Sequence, residues 1–264
     1  MDFLGELKVS ALLGTLEQAA VEASADGGFD PARYSADSRV WIVRRTRLER
    51  RAPLGGGDDI EIATHVEDFR RARSIRRYDV GRGPGHAGAD AATATTDWVY
   101  CDVATGRPVS VSDEMKRALF GTTEVAPRAR ASRVEPPPHP PHGELELEVR
   151  PSHLDHMEHV NNAVWADFLE DAAFALFASR GRALGAMLEE GGALRLRTLD
   201  LEYLGDARLG DVLRVDTWLT EGDLATAPVL VQTARTRDET RLLRAASTWT
   251  WRRRPAVLGG VPDE

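Results

Sequence analysis

The chain is short of cysteine and of long apolar runs, and each shortage excludes a class of protein. One cysteine in 264 residues, Cys101, excludes a disulfide framework and any zinc site built from several cysteines. No apolar stretch approaches the ~20 residues needed to span a bilayer. The formal charge of −8 argues against nonspecific nucleic-acid binding. We therefore expect a cytoplasmic protein that binds neither membrane nor nucleic acid.

The amino-terminal stretch "MDFLGELKVS" also lacks the features of a secretory leader. It has two acids, one lysine and no basic region ahead of an apolar segment. We therefore expect these residues to belong to the mature protein rather than to a signal peptide. What the chain does have is 42% hydrophobic and 29% charged residues, enough for a substantial core and a well-hydrated surface.

The most informative feature is an internal repeat with a constant offset of 153 residues. Residues 2–20 align with residues 155–173, and residues 57–66 align with residues 210–219. Identical residues recur in register: Asp2 with Asp155, Leu16 with Leu169, Glu17 with Glu170, Ala19 with Ala172, Ala20 with Ala173, Gly57 with Gly210, Asp58 with Asp211 and Thr64 with Thr217. One offset maintained over this length indicates a tandem duplication.

Both copies begin with a helix of apolar periodicity and continue with four strands. We predict strands at 38–50, 59–69, 72–80 and 93–102 in the first copy, and at 194–204, 211–221, 228–236 and 242–251 in the second. The helix of the second copy is expected to begin near Asn161. The alternating stretch "GELELEVR" (143–150) predicts one more strand, without a counterpart in the first copy.

A helix followed by a long antiparallel sheet, given twice, predicts an α+β fold of the tandem (double) hot-dog type. We expect two antiparallel sheets, each wrapping a long helix. The first copy would span residues 1–122 and the second residues 143–264, joined by a proline-rich linker at 123–142. Because a fused pair imitates a symmetric dimer internally, the protein would be a monomer or a homodimer of double hot-dogs.

Residues 155–170 resemble the hot-dog thioesterases of the 4-hydroxybenzoyl-CoA thioesterase type. The shared pattern is Asp155, three further residues, "HVNN" (159–162), the aromatic Trp165 and "LE" (169–170). The two-copy layout is similar to that of the acyl-ACP thioesterases, as are "WIVRR" (41–45), "PLGGGDDI" (53–60), "THVEDF" (64–69) and "DWVYCD" (97–102).

Three positions depart from these patterns. Plant-type acyl-ACP thioesterases have asparagine where this chain has Met157, glycine is usual where it has Glu158, and tyrosine is usual where it has Trp165. A mechanism that relies on that asparagine is therefore not supported here. Met157 is compatible with the 4-hydroxybenzoyl-CoA type.

The resemblance implies thioester hydrolysis, which needs an attacking group at the acyl carbon and donors for the developing oxyanion. Asp155 is the candidate general base or nucleophile, and the free N–H groups of the following helix are the candidate oxyanion donors. His159, Asn161 and Asn162 are candidates for orienting Asp155, the water or the thioester carbonyl, although either asparagine could simply cap the helix. Glu170 could face the same cavity, but its twin Glu17 favours a scaffold role.

Comparison of the two copies distinguishes residues of the shared scaffold from candidate catalytic residues. At the positions of Asp155, His159, Asn161 and Asn162 the first copy has Asp2, Glu6, Lys8 and Val9. The first copy thus keeps the apolar helix face and loses the polar triplet. We expect it to build the pocket wall and a docking surface, and we expect one active site per chain, in the second copy.

The candidate substrate-binding residues are Val160, Trp165, Arg76 and Arg77. The two arginines belong to "RRARSIRR" (70–77), which with "RRTRLERR" (44–51) is interpreted either as solvated strand faces or as a docking surface for an acidic or phosphate-bearing partner. The partner would be an acyl carrier protein (ACP), which we favour by resemblance, or a coenzyme A thioester.

Other functions remain open. "HLDH" (153–156) matches part of a zinc motif of metallo-β-lactamase-type hydrolases, but its first histidine would fall on Pro151, so we expect no metal and no other cofactor. Cys101 is expected to be a packed thiol rather than a nucleophile, and Trp98 and Trp249 are expected in the sheet core. The alternatives are an acyl-CoA thioesterase of specialised metabolism and a double hot-dog that binds, dehydrates or cyclises a carrier-bound acyl group.

Overall fold

The structure, a computed structural model, describes residues 1–83, 90–122 and 133–254. The first copy contains α1 (Val9–Asp26), α2 (Pro31–Ala36), β1 (Arg39–Arg50), β2 (Ile60–Arg70), β3 (Arg73–Arg82), β4 (Ala92–Asp102) and α3 (Asp113–Phe120). The second contains β5 (Gly143–Glu148), a 3₁₀ turn (Pro151–His153), α4 (Val164–Ser179), α5 (Leu184–Glu189), β6 (Gly192–Tyr203), β7 (Val212–Glu221), β8 (Val229–Thr236) and β9 (Arg241–Arg253). Each copy is a helix followed by four antiparallel strands, as the repeat predicts.

The strands form one continuous antiparallel sheet in the order β2-β3-β4-β1-β6-β9-β8-β7-β5. The two expected sheets are joined edge to edge, because β1 pairs with β6 along residues 45–49 and 198–202. This pairing covers an edge of each half-sheet that would otherwise be open to another chain. The tandem hot-dog prediction is confirmed, with its two sheets fused into one nine-stranded layer.

The long helices α1 and α4 lie against each other and pack on strands of this sheet. Each turns an apolar face to it: Leu12, Leu13 and Leu16 on α1, and Phe168, Leu169 and Phe177 on α4, are at most 4% exposed. Ser10 Oγ donates to Asp167 Oδ1 at 2.8 Å across the helix pair. Residues of both copies thus share one core, which places the amino-terminal end of each helix beside residues of the other copy.

All eight repeat strands lie within two residues of their predicted bounds, and β5 forms the additional predicted strand at the sheet edge, paired with β7. The helix predicted near Asn161 begins at Val164, because residues 161–163 form a separate turn before it. Residues 123–132 of the predicted linker lie outside the described residues. The remainder runs along the second half-sheet, where Glu135 pairs with Arg244 and the carbonyl of His139 accepts the Trp218 indole N–H at 2.8 Å.

Within the described ranges, every helix is too short or too polar to cross a lipid bilayer.

Candidate active site

The polar segment before α4 is a tight turn organised by one carboxylate. Asp155 Oδ1 accepts the backbone N–H of Met157 at 2.8 Å and, at 3.4 Å, that of His159. The N–H of Asp155 donates to the carbonyl of His159 at 2.9 Å, and Leu154 pairs with Val160 across the turn. We call residues 153–162 the Asp155 loop. Asp155 is half-buried, and its Oδ2 has no hydrogen bond to the part of the chain that the structure describes.

The first copy builds the same turn around Asp2. Its Oδ1 accepts the backbone N–H groups of Leu4 at 2.8 Å and Glu6 at 3.0 Å, and its own N–H donates to the Glu6 carbonyl at 2.7 Å. Gly5 and Glu158 occupy equivalent positions with φ of 77° and 62°, the left-handed region that glycine adopts most readily. Holding the turn is therefore a role that both aspartates share.

The two turns differ most at the position of His159 and its counterpart Glu6. Glu6 is only 3% exposed, and its Oε2 lies 3.1 Å from Nη2 of Arg50 and 2.5 Å from Nε of Arg195. His159 is half-buried, and its Nε2 lies 2.7 Å from Nη2 of Arg208. A buried ion cluster therefore fills the first-copy position, whereas the ring in the second copy stays near solvent and bonds Arg208 rather than the Asp155 carboxylate.

The paired asparagines have separate tasks. Asn161 Oδ1 accepts the backbone N–H of Ala163 at 2.8 Å, so this side chain supports the turn that leads into α4. The carbonyl of Asn162 accepts the Tyr203 hydroxyl at 2.9 Å, and its side chain hydrogen-bonds the carboxyl of Glu17. Asn161 thus takes the structural role that the sequence leaves open, and Asn162 points to a charged group of the other copy.

Glu17 is the site residue that sequence reasoning missed. It lies on α1, yet the polar groups that most affect its carboxyl belong to the second copy: the side chain of Asn162 and the charge of Asp155. Burial, opposed by the Asn162 hydrogen bond and assisted by the nearby Asp155, raises the pKa of Glu17 from 4.5 to about 7. The available signal was the duplication itself, since in a two-fold arrangement the helix of one copy can cover the loop of the other.

Glu170 shows the reciprocal arrangement. Its charged neighbours are Arg50, Asp2 and Lys8 of the first copy, and Asp167 one turn earlier on its own helix. Burial, opposed by Arg50, raises the pKa of Glu170 to about 7. The expectation that Glu170 faces the same cavity as Asp155 is wrong, because α4 directs it to the Asp2 turn, just as α1 directs Glu17 to the Asp155 loop.

A largely apolar cavity of about 450 Å³ opens beside the Asp155 loop. His156 and Met157 line it on the loop side, and the α1 face that carries Glu17 continues into it through Val21 and Ser24. Its remaining wall is mainly aromatic and belongs to the first copy: Phe29, Tyr34, Trp41, Phe69 and Trp98. The predicted pocket-wall role of the first copy agrees with this placement, and His156 lines the cavity from the second copy.

The two candidate substrate-binding arginines lie on opposite faces of β3. Arg76 is 6% exposed and lines the cavity, where its Nη1 lies 3.3 Å from Thr64 Oγ1. Arg77 faces outward and pairs with Asp79 at 2.9 Å. A docking role for Arg76 on the protein surface is therefore wrong, because alternation along the strand turns its side chain into the interior.

Other arginines in the two basic stretches also have partners within the chain. The pairs are Arg45 and Arg47 with Asp200, Arg50 with Glu6, Arg51 with Glu49, Arg70 with Asp68, and Arg73 with Asp97. These pairs favour the interpretation as strand faces over that of a free docking surface.

The other aromatic and aliphatic candidates divide between core and cavity. Val160 and Trp165 are 4% and 2% exposed in the main core, and neither is among the described residues that line the cavity. Trp249 lies in the sheet core as predicted, packed edge-on against Phe177. Trp98, also predicted in the sheet core, packs against the main core and lines the cavity as well.

The residues considered as a rival nucleophile and as metal ligands have structural surroundings. Cys101 is buried in β4, and burial raises the pKa of its thiol, which opposes formation of a nucleophilic thiolate. His153 accepts the backbone N–H of Arg150 at 3.0 Å and packs edge-on against Phe168. Among the described residues, no group of three or more His, Cys, Asp or Glu side chains is arranged to hold a metal ion.

Two family models match the chain, one for each copy. Residues 1–119 match the acyl-ACP thioesterase N-terminal domain, and residues 149–251 match the thioesterase-like superfamily. The Asp155 loop lies in the second match and Glu17 in the first, so the site draws on both.

Solved structures similar over almost the whole chain include three thioesterases. One, assigned as an oleoyl thioesterase from Lactobacillus plantarum, has a TM-score of 0.76 at 17% identity, covering 95% of this chain and 91% of that one. An acyl-ACP thioesterase from Bacteroides thetaiotaomicron has a TM-score of 0.73 at 18% identity, covering 94% and 92%. The 12:0-ACP thioesterase from Umbellularia californica has a TM-score of 0.72 at 17% identity, covering 96% and 93%. At these identities the likeness establishes the fold.

Proposed function

We propose that the chain is a double hot-dog thioesterase that releases free carboxylic acids from acyl-ACP, since residues 1–119 match the acyl-ACP thioesterase N-terminal domain and residues 149–251 match the thioesterase-like superfamily. The observation that carries the proposal is the meeting of two carboxylates from different copies, Asp155 and Glu17, beside an apolar cavity. The three similar structures named above are described as thioesterases, two of them for acyl-ACP, which supports this carrier over coenzyme A.

In the proposed complex the acyl group lies in the cavity and its thioester at the Asp155 loop. Asp155 keeps Oδ1 on the loop amides, which leaves Oδ2 for attack on the acyl carbon, directly as nucleophile or through one water as general base. Glu17, with a pKa of about 7, is ionised in a substantial fraction of molecules near neutrality. When the attack goes through water, Asp155 Oδ2 holds that water, ionised Glu17 takes its proton as the tetrahedral intermediate forms, and Glu17 then gives the proton to the departing thiolate. When Asp155 is the nucleophile, the thiolate leaves as the acyl–Asp155 anhydride forms, and ionised Glu17 takes a proton from the water that hydrolyses this anhydride and passes it to the thiolate. Either route gives one acid and one thiol per water consumed.

The oxyanion donors are proposed at the entrance to α4. The backbone N–H groups of Ala163 and Val164 are already bonded to the side chain and carbonyl of Asn161. The N–H groups of Asn162 and Trp165 remain, in the helix-start position where backbone donors face a developing negative charge. Catalysis by one site per chain, location in the cytoplasm, and a monomer or homodimer remain predictions.

The test is turnover of a library of acyl-ACP and acyl-CoA thioesters, followed by mass spectrometry, with Asp155→Asn as the control enzyme. We expect hydrolysis by the wild type, faster on ACP than on the matched CoA thioester, and loss of hydrolysis in the variant. Faster turnover of CoA thioesters would reassign the carrier. An absence of turnover on every thioester would contradict hydrolysis and favour an acyl-binding, dehydratase or cyclase function.

A further inference from the structure

The cavity contains a charge that an ordinary fatty acyl chain would leave unsatisfied. Two arginines line it, Arg39 and Arg76. Arg39 is paired with Asp102 at 2.6 Å, whereas Arg76 forms no ion pair with the described part of the chain. Among the described residues that line the cavity none carries a carboxylate, so within the described chain the Arg76 guanidinium is a buried cation without a counter-ion.

The contacts of Arg76 are weak compensation for its burial. The one hydrogen bond it makes to the described residues is 3.3 Å long and goes to the neutral hydroxyl of Thr64. Burial lowers the pKa of Arg76, opposed only by the nearby hydroxyls of Tyr78 and Tyr34. Removing an arginine from water without a carboxylate or several acceptors costs several kcal/mol, roughly, so such a residue needs a compensating partner.

Trp98 also lines the cavity, and its indole N–H lies near the hydroxyl of Tyr78. The indole N–H of Trp98 is buried without a well-aligned acceptor in the described ranges. The guanidinium and the indole N–H both donate and neither accepts. A ligand that satisfies them must therefore bring acceptor oxygen, preferably ionised.

The position of Arg76 relative to the reacting groups sets the geometry of such a ligand. Arg76 lies near Tyr34, whose hydroxyl is 2.8 Å from Ser24 Oγ. Ser24 is seven residues beyond Glu17 on α1. Since a helix rises 1.5 Å per residue, Ser24 lies about 10 Å along α1 from Glu17, which sets the approximate span from the reacting groups to the region of Arg76.

We propose that the acyl group carried to this site has an anionic oxygen, such as a carboxylate, on the side remote from the thioester, and that Arg76 binds it. The inference rests on the proposed function for the identity of the reacting group. Arg76 is then a specificity residue, and the preferred substrate class is carboxylated or similarly oxygenated acyl thioesters rather than unsubstituted fatty acyl thioesters.

The test compares two eight-carbon CoA thioesters, octanoyl-CoA and the monothioester of octanedioic acid, at pH 8. We expect wild-type kcat/KM to favour the carboxylated thioester by about 10- to 100-fold, the range of a charge-assisted hydrogen bond. Arg76→Leu should abolish or reverse this ratio, and Arg76→Lys should retain part of it. Arg77→Leu, on the opposite face of β3, is the matched control and should leave the ratio unchanged.

A binding measurement separates this proposal from the proposed function. Calorimetry with free octanedioate and octanoate requires no turnover, and we expect wild type to bind the diacid more tightly and Arg76→Leu to lose that difference. Arg76→Leu removes an uncompensated buried charge, so its melting temperature should be no lower than that of wild type. Equal binding of the two acids by wild type, or an unchanged difference in folded Arg76→Leu, would overturn the proposal.

Discussion

The Asp2 turn and the Asp155 loop have the same backbone and different surroundings. Each aspartate accepts two backbone N–H groups, and the residue after each turn donates to an equivalent carbonyl: Leu7 to Leu54 at 2.7 Å, and Val160 to Ala207 at 2.9 Å. Around Asp2, buried arginines pair with Glu6. Around Asp155 lie His159, which bonds Arg208, the side chain of Asn162 and an apolar cavity.

This contrast indicates how a duplicated site can keep its fold and lose its chemistry. The ion cluster makes the first-copy turn a structural joint between β1, β6 and the amino-terminal segment. In the Asp155 loop, His159 takes the position of Glu6, its side chain stays near solvent, and a cavity lies beside the loop. Glu17 of the first copy lies near the Asp155 loop, and Glu170 of the second copy lies near the Asp2 turn. Each copy therefore supplies a carboxyl to the turn of the other.

The largest expected effect comes from exchanging the two aspartates for asparagine. Asn retains Oδ1 as an acceptor, so both turns should persist in Asp155→Asn and Asp2→Asn. We expect Asp155→Asn to lose about 10³-fold in kcat and Asp2→Asn to lose none, measured by thiol release from acyl-ACP. Comparable losses in the two variants would show that the aspartates act only through the fold.

Substitution of Glu6 should lower stability, whereas substitution of the equivalent His159 should lower activity. Glu6→Ala leaves Arg50 and Arg195 buried without their carboxylate, which should cost about 3–5 kcal/mol in the free energy of unfolding. His159→Ala, at the equivalent position, should cost less than about 1 kcal/mol and lower activity instead. Urea unfolding of both variants checks this, and a Glu6→Ala protein as stable as His159→Ala would refute the structural role of the cluster.

The third comparison between equivalent positions of the two copies is that of Glu17 with Glu170. With a proton-transfer role, Glu17→Gln should lower kcat/KM about 10²-fold, within the range of general acid–base catalysis, whereas Glu170→Gln should be active. Both variants remove a buried carboxyl with a raised pKa, so their melting temperatures control for changes in folding. A larger activity loss in Glu170→Gln would reverse the assignment.

The smallest effect is expected at the asparagines. Asn162→Ala removes the hydrogen bond that lowers the pKa of Glu17, so the rise of kcat/KM with pH should move to higher pH, with about a 10-fold loss at neutrality. Asn161→Ala should weaken the entry to α4 and leave the position of that rise unchanged. Identical pH–rate profiles for the two variants would contradict the separate tasks assigned to them.

The sequence predicts secondary structure and duplication well because strand alternation and helical periodicity are local. Offset and pattern locate eight strands to within two residues. The crossing of Glu17 and Glu170, and the burial of Arg76, depend instead on which helix covers which turn and on which face of β3 meets the cavity. Periodicity places Arg76 and Arg77 on opposite faces without revealing which face is inside, since both residues are equally polar.

The pH–rate profile of Glu17→Gln beside that of Glu170→Gln tests most directly the claim that the first copy completes the site of the second. A base of raised pKa must be ionised to act, so kcat/KM of the wild type should rise with pH through about 7 and then level off. We predict that this rise is absent in Glu17→Gln and intact in Glu170→Gln. Its persistence in folded Glu17→Gln would contradict the account.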